Sequence, residues 1–413
     1  MNIYAVLIII FILSVYLTKT LADILNVQNI SNKIPRAFSG FYNKEKYAKA
    51  QSYLKARTKF SLVLSTFMLA VTIIFILIGG FNFVDDIAVS FGFGDIATGL
   101  IFAGIILFAA EILQIPFSAY SVFAIEEKFG FNRMKVKTFI ADLVKGWIVG
   151  AIIGAALFSA VLWLFTNVEK YAWVYAFAAV VVFEVLITFI YPAVIMPLFN
   201  KFTPLEKGRL RLSIERYAKR ENFKMKGLFK MDNSKRSTKS NAFFAGFGRF
   251  RRIVLFDTLI KNHTVDELVS VLAHEMGHFK LGHIKKSMLL SFVVTGVMFF
   301  IFSLVINQPW FYDAFLMNNQ PVYAGIIFFT FWYSPLSLLL GIFLSSMSRK
   351  HEYAADAYAV STYKKPRAMI SALKKLSVDN LSNLYPHKFK VFLEYSHPPT
   401  LERIEAIKKI KIK

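Results

Sequence analysis

The segment HEMGH, residues 274–278, has residue types and a spacing that bind a metal ion on one helix. In an α-helix four residues turn through roughly 400°, so His274 and His278 project on the same side, one turn apart. Two neutral imidazoles in this arrangement can bind one zinc ion. Glu275 lies roughly 100° around the helix, displaced from a ligand position but suited to take a proton from metal-bound water. The segment therefore predicts a metal site with a catalytic glutamate.

The residues before this motif support a helix. Thr264, with Glu267 three positions later, forms a capping-box pattern that precedes an apolar stripe. A third histidine, His283, lies nine positions after His274, whereas a metzincin ligand would lie ten positions after it. Nine helical residues turn through roughly 900°, which directs His283 to the opposite side. We expect His283 to cap the helix or lie at the surface and not to bind the metal.

A third ligand has to come from another part of the chain, and the segment SRKHEYAADAYAV, residues 348–360, offers carboxylates. The chain has no cysteine, which excludes thiolate ligands. Glu352 would complete a site of two histidines and one carboxylate, and Asp356, on the same helix face, could accept the free N–H of a ligand histidine. His351 is an alternative ligand. A solvated charged face after a membrane helix is the alternative interpretation of the whole segment.

The elements that must position these residues are predicted to be membrane helices. The chain of 413 residues is 56% hydrophobic and contains 44 Phe, a composition that is rare in soluble domains. The first apolar run has no basic segment before it and no small-residue cleavage site after it, so we expect a retained anchor. Seven runs are long and apolar enough to span a membrane: 4–18, 60–80, 98–118, 146–166, 171–199, 287–307 and 322–347.

The formal net charge of +23 is distributed asymmetrically around these runs. Apart from Lys170, every Lys and Arg lies in one of four segments: 19–59, 119–145, 200–286 and 347–413. The positive-inside rule places these segments in the cytoplasm and the N-terminus outside. No base-reading or phosphate-reading motif accompanies the charge, so we expect a lipid bilayer and no nucleic acid as a partner.

Two of the basic segments together are long enough to form one cytoplasmic domain of roughly 150 residues. We expect 1–199 to hold five transmembrane helices with their cytoplasmic loops, and 200–286 to hold the first half of the domain with the HEMGH helix. Residues 287–347 would form two further transmembrane helices, and 348–413 the second half with the third ligand. The last two spans would then bring the two halves of the metal site together.

Longer motifs resemble the Ste24-type CAAX prenyl proteases, which are integral-membrane zinc metalloproteases of the M48 class. The likeness covers nearly the whole chain in order. HtpX-type proteases share the His-Glu-x-x-His and SHPP features but have fewer spans and lack the region 20–145, so they are the second choice. Besides the segment around Glu352, the motifs are IEEKFGFNR (125–133), YPAVIMPLFNKFTPLEKG (191–208), KSNAFFAGFGRFRRIVLFDTL (239–259), HEMGHFKLGH (274–283) and YSHPPTLERI (395–404).

The resemblance implies a mainly α, polytopic membrane fold with about seven transmembrane helices. It adds a zincin-like cytoplasmic metalloprotease domain that contains a small β-sheet. It implies one Zn²⁺ ion bound by His274, His278 and Glu352, with Glu275 as the catalytic acid and base. In this family the spans surround a water-filled chamber that the active site faces.

The same resemblance implies an edge strand at SNAFF that pairs with the substrate backbone, with Asn241 binding substrate. It places His397 near the reacting carbonyl, where it would stabilise the oxyanion. From its own context His397 would be a turn residue before two prolines. Arg403 follows on the same predicted helix without an assigned role. Family members commonly have His where Lys239 stands, so a fixed charge replaces a neutral donor beside the strand.

The expected function is peptide-bond hydrolysis by metal-activated water, on a peptide or protein substrate that is prenylated in eukaryotic members of the family. The lysine-rich and phenylalanine-rich, cysteine-free composition favours a bacterial plasma membrane, with the endoplasmic reticulum as the eukaryotic alternative. A transporter with a structural metal site is the alternative from another class. It would require ionisable residues within the spans, where Glu111 and Glu184 stand.

Overall fold

The structure, a computed structural model, describes residues 2–168, 170–245 and 252–411. Residues 246–251, part of one of the family-like motifs, lie outside the described residues. The strands are β1 (Phe202–Pro204), β2 (Gly227–Met231), β3 (Ala242–Ala245) and β4 (Arg252–Phe256). The α-helices are α1 (Ile3–Gln28), α2 (Lys44–Leu77), α3 (Gly80–Ser90), α4 (Asp95–Tyr120), α5 (Val136–Asn167), α6 (Ala172–Ile190), α7 (Met196–Phe199), α8 (Arg209–Arg220), α9 (Asp257–Asn262), α10 (Val265–Lys280), α11 (His283–Val305), α12 (Pro309–Asp313), α13 (Val322–Trp332), α14 (Ser334–Tyr363), α15 (Pro366–Asp379), α16 (Lys388–Glu394) and α17 (Thr400–Lys408).

The membrane-spanning helices match the seven predicted runs. Within the described residues, six segments are long and apolar enough to cross a membrane: α1, α2, α4 with its continuation to Glu126, α5, α6 together with α7, and α11. The pair α13 and α14, bent by 54°, is a seventh if it counts as one span. The prediction of about seven spans is confirmed, and the protein is an integral multi-pass membrane protein. The bend was not predicted, because the apolar run continues through it.

One end of the helix bundle is closed by packed aromatic side chains. Segment 308–321, which has no Lys or Arg, forms α12 and the turn after it. Its Phe311, Tyr312 and Phe315 are fully buried. The Phe315 ring stacks on Phe328 of α13 with 3.9 Å between the centroids. Buried aromatic rings contribute large apolar areas, so this low-charge end is a packed core.

A small mixed sheet lies beside the helices of the basic segments. The strand order is β1-β2-β4-β3, with β2 and β4 parallel and the other two pairs antiparallel. The predicted strand at SNAFF is β3, and it is an edge strand with a free side in the described part of the chain. An open strand edge presents backbone groups that can pair with an extended peptide.

Helix α10, which carries the HEMGH motif, has defined signals at both ends. The predicted capping box is present: Thr264 Oγ1 accepts from the Glu267 N–H, and the Thr264 N–H donates to Glu267 Oε2 at 2.8 Å. After the helix, Gly282 has a φ of +70°, a conformation that glycine adopts without strain. Its reversal of direction allows α11 to begin at His283.

Glu267 also joins α10 to α15. It accepts hydrogen bonds from Lys375 Nζ at 2.7 Å and from Ser371 Oγ at 2.6 Å. Burial raises the pKa of Glu267, but the hydrogen bonds from Lys375, Ser371 and the Thr264 N–H outweigh it, and the net shift is downward. The ionised carboxylate therefore stabilises the fold.

We expect Glu267→Gln to lower the free energy of unfolding by about 2 kcal/mol at neutral pH, since hydrogen bonds to a buried charge are lost. The pKa of Glu267 is lowered in the folded state, so its contribution is present above the unfolded pKa of 4.5 and is lost as the pH falls through the lower folded value. Thermal unfolding of detergent-purified protein should show the gap to wild type narrowing in acid. Glu206→Gln, at an exposed carboxylate, is the control. An equal gap at all pH values would contradict the role of the charge.

Candidate metal centre

Three of the predicted site residues meet at the contact between α10 and α14. The Nε2 atoms of His274 and His278 lie 3.1 Å apart. Glu352 Oε1 is 3.1 Å from His278 Nε2, and Glu352 Oε2 is 3.4 Å from His274 Nε2. The three side chains form a group that could hold a metal ion, whereas His351 is not part of it.

The dimensions of this group fit a zinc ion. Ligand atoms about 2.0–2.1 Å from zinc at tetrahedral angles are roughly 3.3 Å from one another, close to the distances found here. Glu352 Oε2 is buried and accepts no hydrogen bond from the described residues. A cation beside such an oxygen offsets the cost of its burial: the Arg403 guanidinium provides one, with Nη1 3.3 Å away, and a bound metal ion would provide a second. The donor set of two imidazoles and one carboxylate is one that catalytic zinc sites use.

Asp356 and Arg403 form a buried network behind the candidate ligands. His274 Nδ1 lies 2.8 Å from Asp356 Oδ1, as expected for a carboxylate that fixes the ring of a ligand histidine. Arg403 donates two hydrogen bonds to Asp356, from Nε at 2.8 Å and Nη2 at 2.7 Å. Its Nη1 lies 3.3 Å from Glu352 Oε2. Arg403 therefore links α17 to the carboxylates of Asp356 and Glu352. Nothing in the motif LERI predicted this role.

The charges of the network affect the two groups that would handle protons. Burial lowers the pKa of His274, but hydrogen bonds to Asp356 and Glu352 outweigh it and raise the pKa to about 9. A metal ion therefore competes with a proton for this ring. Burial raises the pKa of Glu275, and the neighbouring His274 and His278 lower it only in part. A carboxyl group with a raised pKa is suited to accept and return a proton.

His283 does not have the surface position that we considered for it. It is buried, and its Nδ1 lies 3.1 Å from Nδ1 of His278. Its ring also stacks on His351 of α14 with 4.0 Å between the centroids. The αL turn at Gly282 redirects the chain, so extrapolation of α10 placed the residue wrongly. Because His283 contacts the far nitrogen of His278, we expect it to orient this ring.

The proposed substrate side of the site lies at β3 and at the turn before α17. Asn241 immediately precedes β3, its side chain is exposed, and its carbonyl accepts from the Phe256 N–H of β4. Strand β3 contacts α10. His397 is exposed, with its Nε2 3.4 Å from Glu352 Oε1. Asn241 is thus next to the edge strand and His397 next to a candidate ligand, and we expect both to contact a bound peptide.

Lys239, where family members commonly have His, is held by the protein itself. Its Nζ lies 2.7 Å from Glu126 Oε2 and 2.8 Å from the Tyr53 hydroxyl. The ammonium group also lies over the Phe131 ring, 4.6 Å from the centroid. These contacts neutralise the charge of Lys239. They join the segment before β3 to α2, which carries Tyr53, and to the end of the span Asp95–Glu126, which carries Glu126. We expect Lys239 to position the strand and not to bind substrate.

The two carboxylates within the predicted apolar runs differ in their surroundings. Glu184 of α6 accepts from Ser291 Oγ at 3.3 Å and from Thr295 Oγ1 at 3.4 Å, both on α11. Hydrogen bonds of this kind join membrane helices, so Glu184 has a structural partner and needs no transport path. Glu111 of α4 is exposed, and nothing in the structure assigns it a role.

Close packing at Gly277 allows the two halves of the site to meet. A Cβ atom at this position would lie 3.1 Å from the Ala355 Cα atom and carbonyl oxygen, and 3.2 Å from Tyr358 Cβ. These distances are shorter than ordinary contacts, so an added methyl group forces α10 and α14 apart. A glycine between the two motif histidines indicates that another helix can approach closely at this position.

We expect Gly277→Ala to weaken metal binding by about 10-fold or more, the range found when supporting contacts of a metal site are disturbed. Alanine is the better helix former by about 1 kcal/mol, so a loss of affinity would reflect helix separation. Competition with a chelator measures the affinity. Gly341→Ala on α14, whose Cβ would meet no atom within 4 Å, is the control. Unchanged affinity in Gly277→Ala would show that the helix spacing does not set the site.

Two family models together match almost the whole chain. Residues 23–201 match the CAAX prenyl protease N-terminal model, which has five membrane helices, and residues 204–411 match peptidase family M48. The first match covers most of the region that HtpX-type proteases lack, so that alternative is not favoured. The transporter alternative is not favoured either, because the second match covers both halves of the metal group.

Individual relatives agree with these matches. The probable CAAX prenyl protease 1 of Schizosaccharomyces pombe is 35% identical over 92% of this chain and 82% of its own length. The CAAX prenyl protease 1 homolog of Homo sapiens is 30% identical over 93% and 90%. The crystal structure of S. mikatae Ste24p superposes with a TM-score of 0.93 at 32% identity, covering 98% of this chain and 99% of that one. The chain therefore belongs to the Ste24-type CAAX prenyl proteases of peptidase family M48 and is an integral-membrane metalloendopeptidase.

Proposed function

We propose that the enzyme is a zinc endopeptidase that cleaves near the C-terminus of prenylated proteins at a membrane surface. The observation that carries the proposal is the His274, His278 and Glu352 group, two of whose residues lie on α10, the helix that the edge strand β3 contacts. The relatives are named CAAX prenyl proteases, which supports a prenylated C-terminal peptide as the substrate.

The chain's own residues would divide the chemical work. His274, His278 and Glu352 would hold a zinc ion, which would supply a Lewis acid for the scissile carbonyl and lower the pKa of the attacking water. Glu275 accepts the proton of the attacking water and returns it to the leaving amine.

The exposed residues around the group would act on the peptide itself. His397, beside Glu352, donates a hydrogen bond to the oxyanion that develops on the carbonyl. Strand β3 would hold the peptide extended by backbone pairing, with Asn241 binding it at the end of the strand.

The orientation and the chamber remain part of the proposal. The basic segments, including both halves of the proposed protease domain, 200–286 and 348–413, would face the cytoplasm. The most apolar windows of the six single-helix spans are only 0 to 22% buried. Much of this exposed surface would face lipid, so the proposed chamber lined by the spans rests on the membership of the family. A bacterial plasma membrane, or the endoplasmic reticulum in a eukaryotic host, stays the predicted location.

The test uses full-length protein purified in detergent, with metal analysis and peptide cleavage in the same preparation. We expect one zinc per chain and cleavage of a farnesylated peptide ending in Cys-aliphatic-aliphatic-X. The same peptide without the farnesyl group should be cleaved more slowly. Equal rates for the two peptides would remove prenylation from the proposal, and zinc-loaded protein that cleaves neither would contradict its activity as an endopeptidase on CAAX-type substrates.

A further inference from the structure

The membrane-spanning helices form a groove that contains no residue of the metal group. The groove, with a volume of about 600 Å³, opens between α2, α4 and the π-helical turn Ser121–Glu126 that continues α4. Its wall includes Phe60 stacked on Tyr120, with 5.6 Å between the centroids, and Phe117 at 6.2 Å from Phe60. Tyr120 and Val63 are more than half exposed although they line the groove. The wall is therefore an apolar surface that the described residues leave uncovered.

Two basic side chains lie at one end of this wall. Lys59 immediately precedes the apolar part of α2, and Lys128 follows the end of the span Asp95–Glu126. Both line the groove and both are exposed. They belong to the basic segments that lie on one side of the membrane. With the basic segments at the membrane surface, the two ammonium groups would lie near the phosphates of lipid headgroups, and the apolar wall would extend from them into the span.

We propose that this groove binds an anionic phospholipid. The phosphate would lie between Lys59 and Lys128, and an acyl chain would lie along Phe60, Val63 and Phe117. The arrangement is complementary to a lipid in both charge and polarity. It is a poor fit for a peptide, because the backbone groups of α2 and α4 are already paired within their helices and leave few hydrogen-bond partners.

The test measures retention of lipid by full-length protein in detergent micelles, by native mass spectrometry. Dioleoyl phosphatidylglycerol is the test lipid, and dioleoyl phosphatidylcholine is the comparison without net charge. Lys59→Gln/Lys128→Gln removes the headgroup contacts, and Val63→Trp fills the apolar wall. Lys55→Gln/Lys137→Gln removes two exposed lysines on the same side of the membrane that do not line the groove.

We expect phosphatidylglycerol binding to weaken roughly 10- to 30-fold in the double variant, since each lysine near an anionic lipid contributes about a three- to fivefold factor. Val63→Trp should also weaken it, and the Lys55 and Lys137 variant should bind as wild type does. Bound phosphatidylglycerol should raise the thermal stability of wild type and of this control only.

Four results would overturn the proposal. Equal binding of the two lipids would show that charge is not recognised, and undiminished binding by the Lys59 and Lys128 variant would place the lipid elsewhere. Glycerol phosphate that competes as well as phosphatidylglycerol at equal concentration would show that the apolar wall contributes nothing. Displacement by a farnesylated peptide would assign the groove to the lipid group of a substrate.

Discussion

Glu275→Gln is expected to slow peptide cleavage by about 10²- to 10⁴-fold while the metal content stays at the wild-type level. The amide has nearly the same shape as the carboxylate, but it cannot accept the proton of the attacking water. Glu275 is not one of the three proposed ligands, which are His274, His278 and Glu352, so its replacement removes no ligand. The measurements are kcat/KM on the farnesylated peptide and metal per chain, in one preparation.

Glu402→Gln is the matched control. The Glu402 carboxylate lies on α17, close to the site, but its partner is the Tyr353 hydroxyl at 3.1 Å and it is not part of the metal group. It should retain both activity and metal. If Glu275→Gln loses its metal together with its activity, Glu275 is a ligand and not a base. If it keeps full activity, another group moves the proton.

Glu352→Gln is expected to remove the metal altogether, whereas Asp356→Asn should weaken it by about 10- to 100-fold. An amide is a poor metal ligand, and loss of the Glu352 charge leaves Asp356 to balance the Arg403 guanidinium, which adds net positive charge at the site. Asp356 contacts His274 Nδ1 on the side away from the proposed metal, so it orients a ligand without being one. Zinc affinity measured against a chelator separates the two effects.

His283→Gln completes this series. Its contact with His278 predicts a modest loss of affinity, but the protein should still bind one metal per chain. Complete loss of the metal would make His283 part of the metal shell. Wild-type affinity in Glu352→Gln would exclude Glu352 from it.

Much of the fold follows from local sequence patterns. The spans are recognisable because a membrane helix needs about 20 consecutive apolar residues, whatever its neighbours are. The start of α10 is equally local, because Thr264 and Glu267 satisfy each other's backbone groups within one turn. The resemblance to the family extends these local signals to the whole chain, and the comparisons confirm it.

Other features depend on contacts that have no local signature. The 54° bend between α13 and α14 interrupts a run that is apolar throughout. The burial of His283 depends on a single left-handed residue, Gly282. The pairing of Lys239 with Glu126 joins segments that are far apart in the chain. None of these follows from periodicity or composition.

The sequence by itself determined that His274, Glu275 and His278 lie on one helix, because four residues make about one turn and bring the two rings together. Only the tertiary structure decided what stands opposite them. The position of Glu352, the Arg403 bridge to Asp356 and the burial of Glu352 Oε2 depend on how closely α10 approaches α14. That approach is permitted by the absence of a side chain at Gly277, a packing condition that exists only once the two helices are in contact.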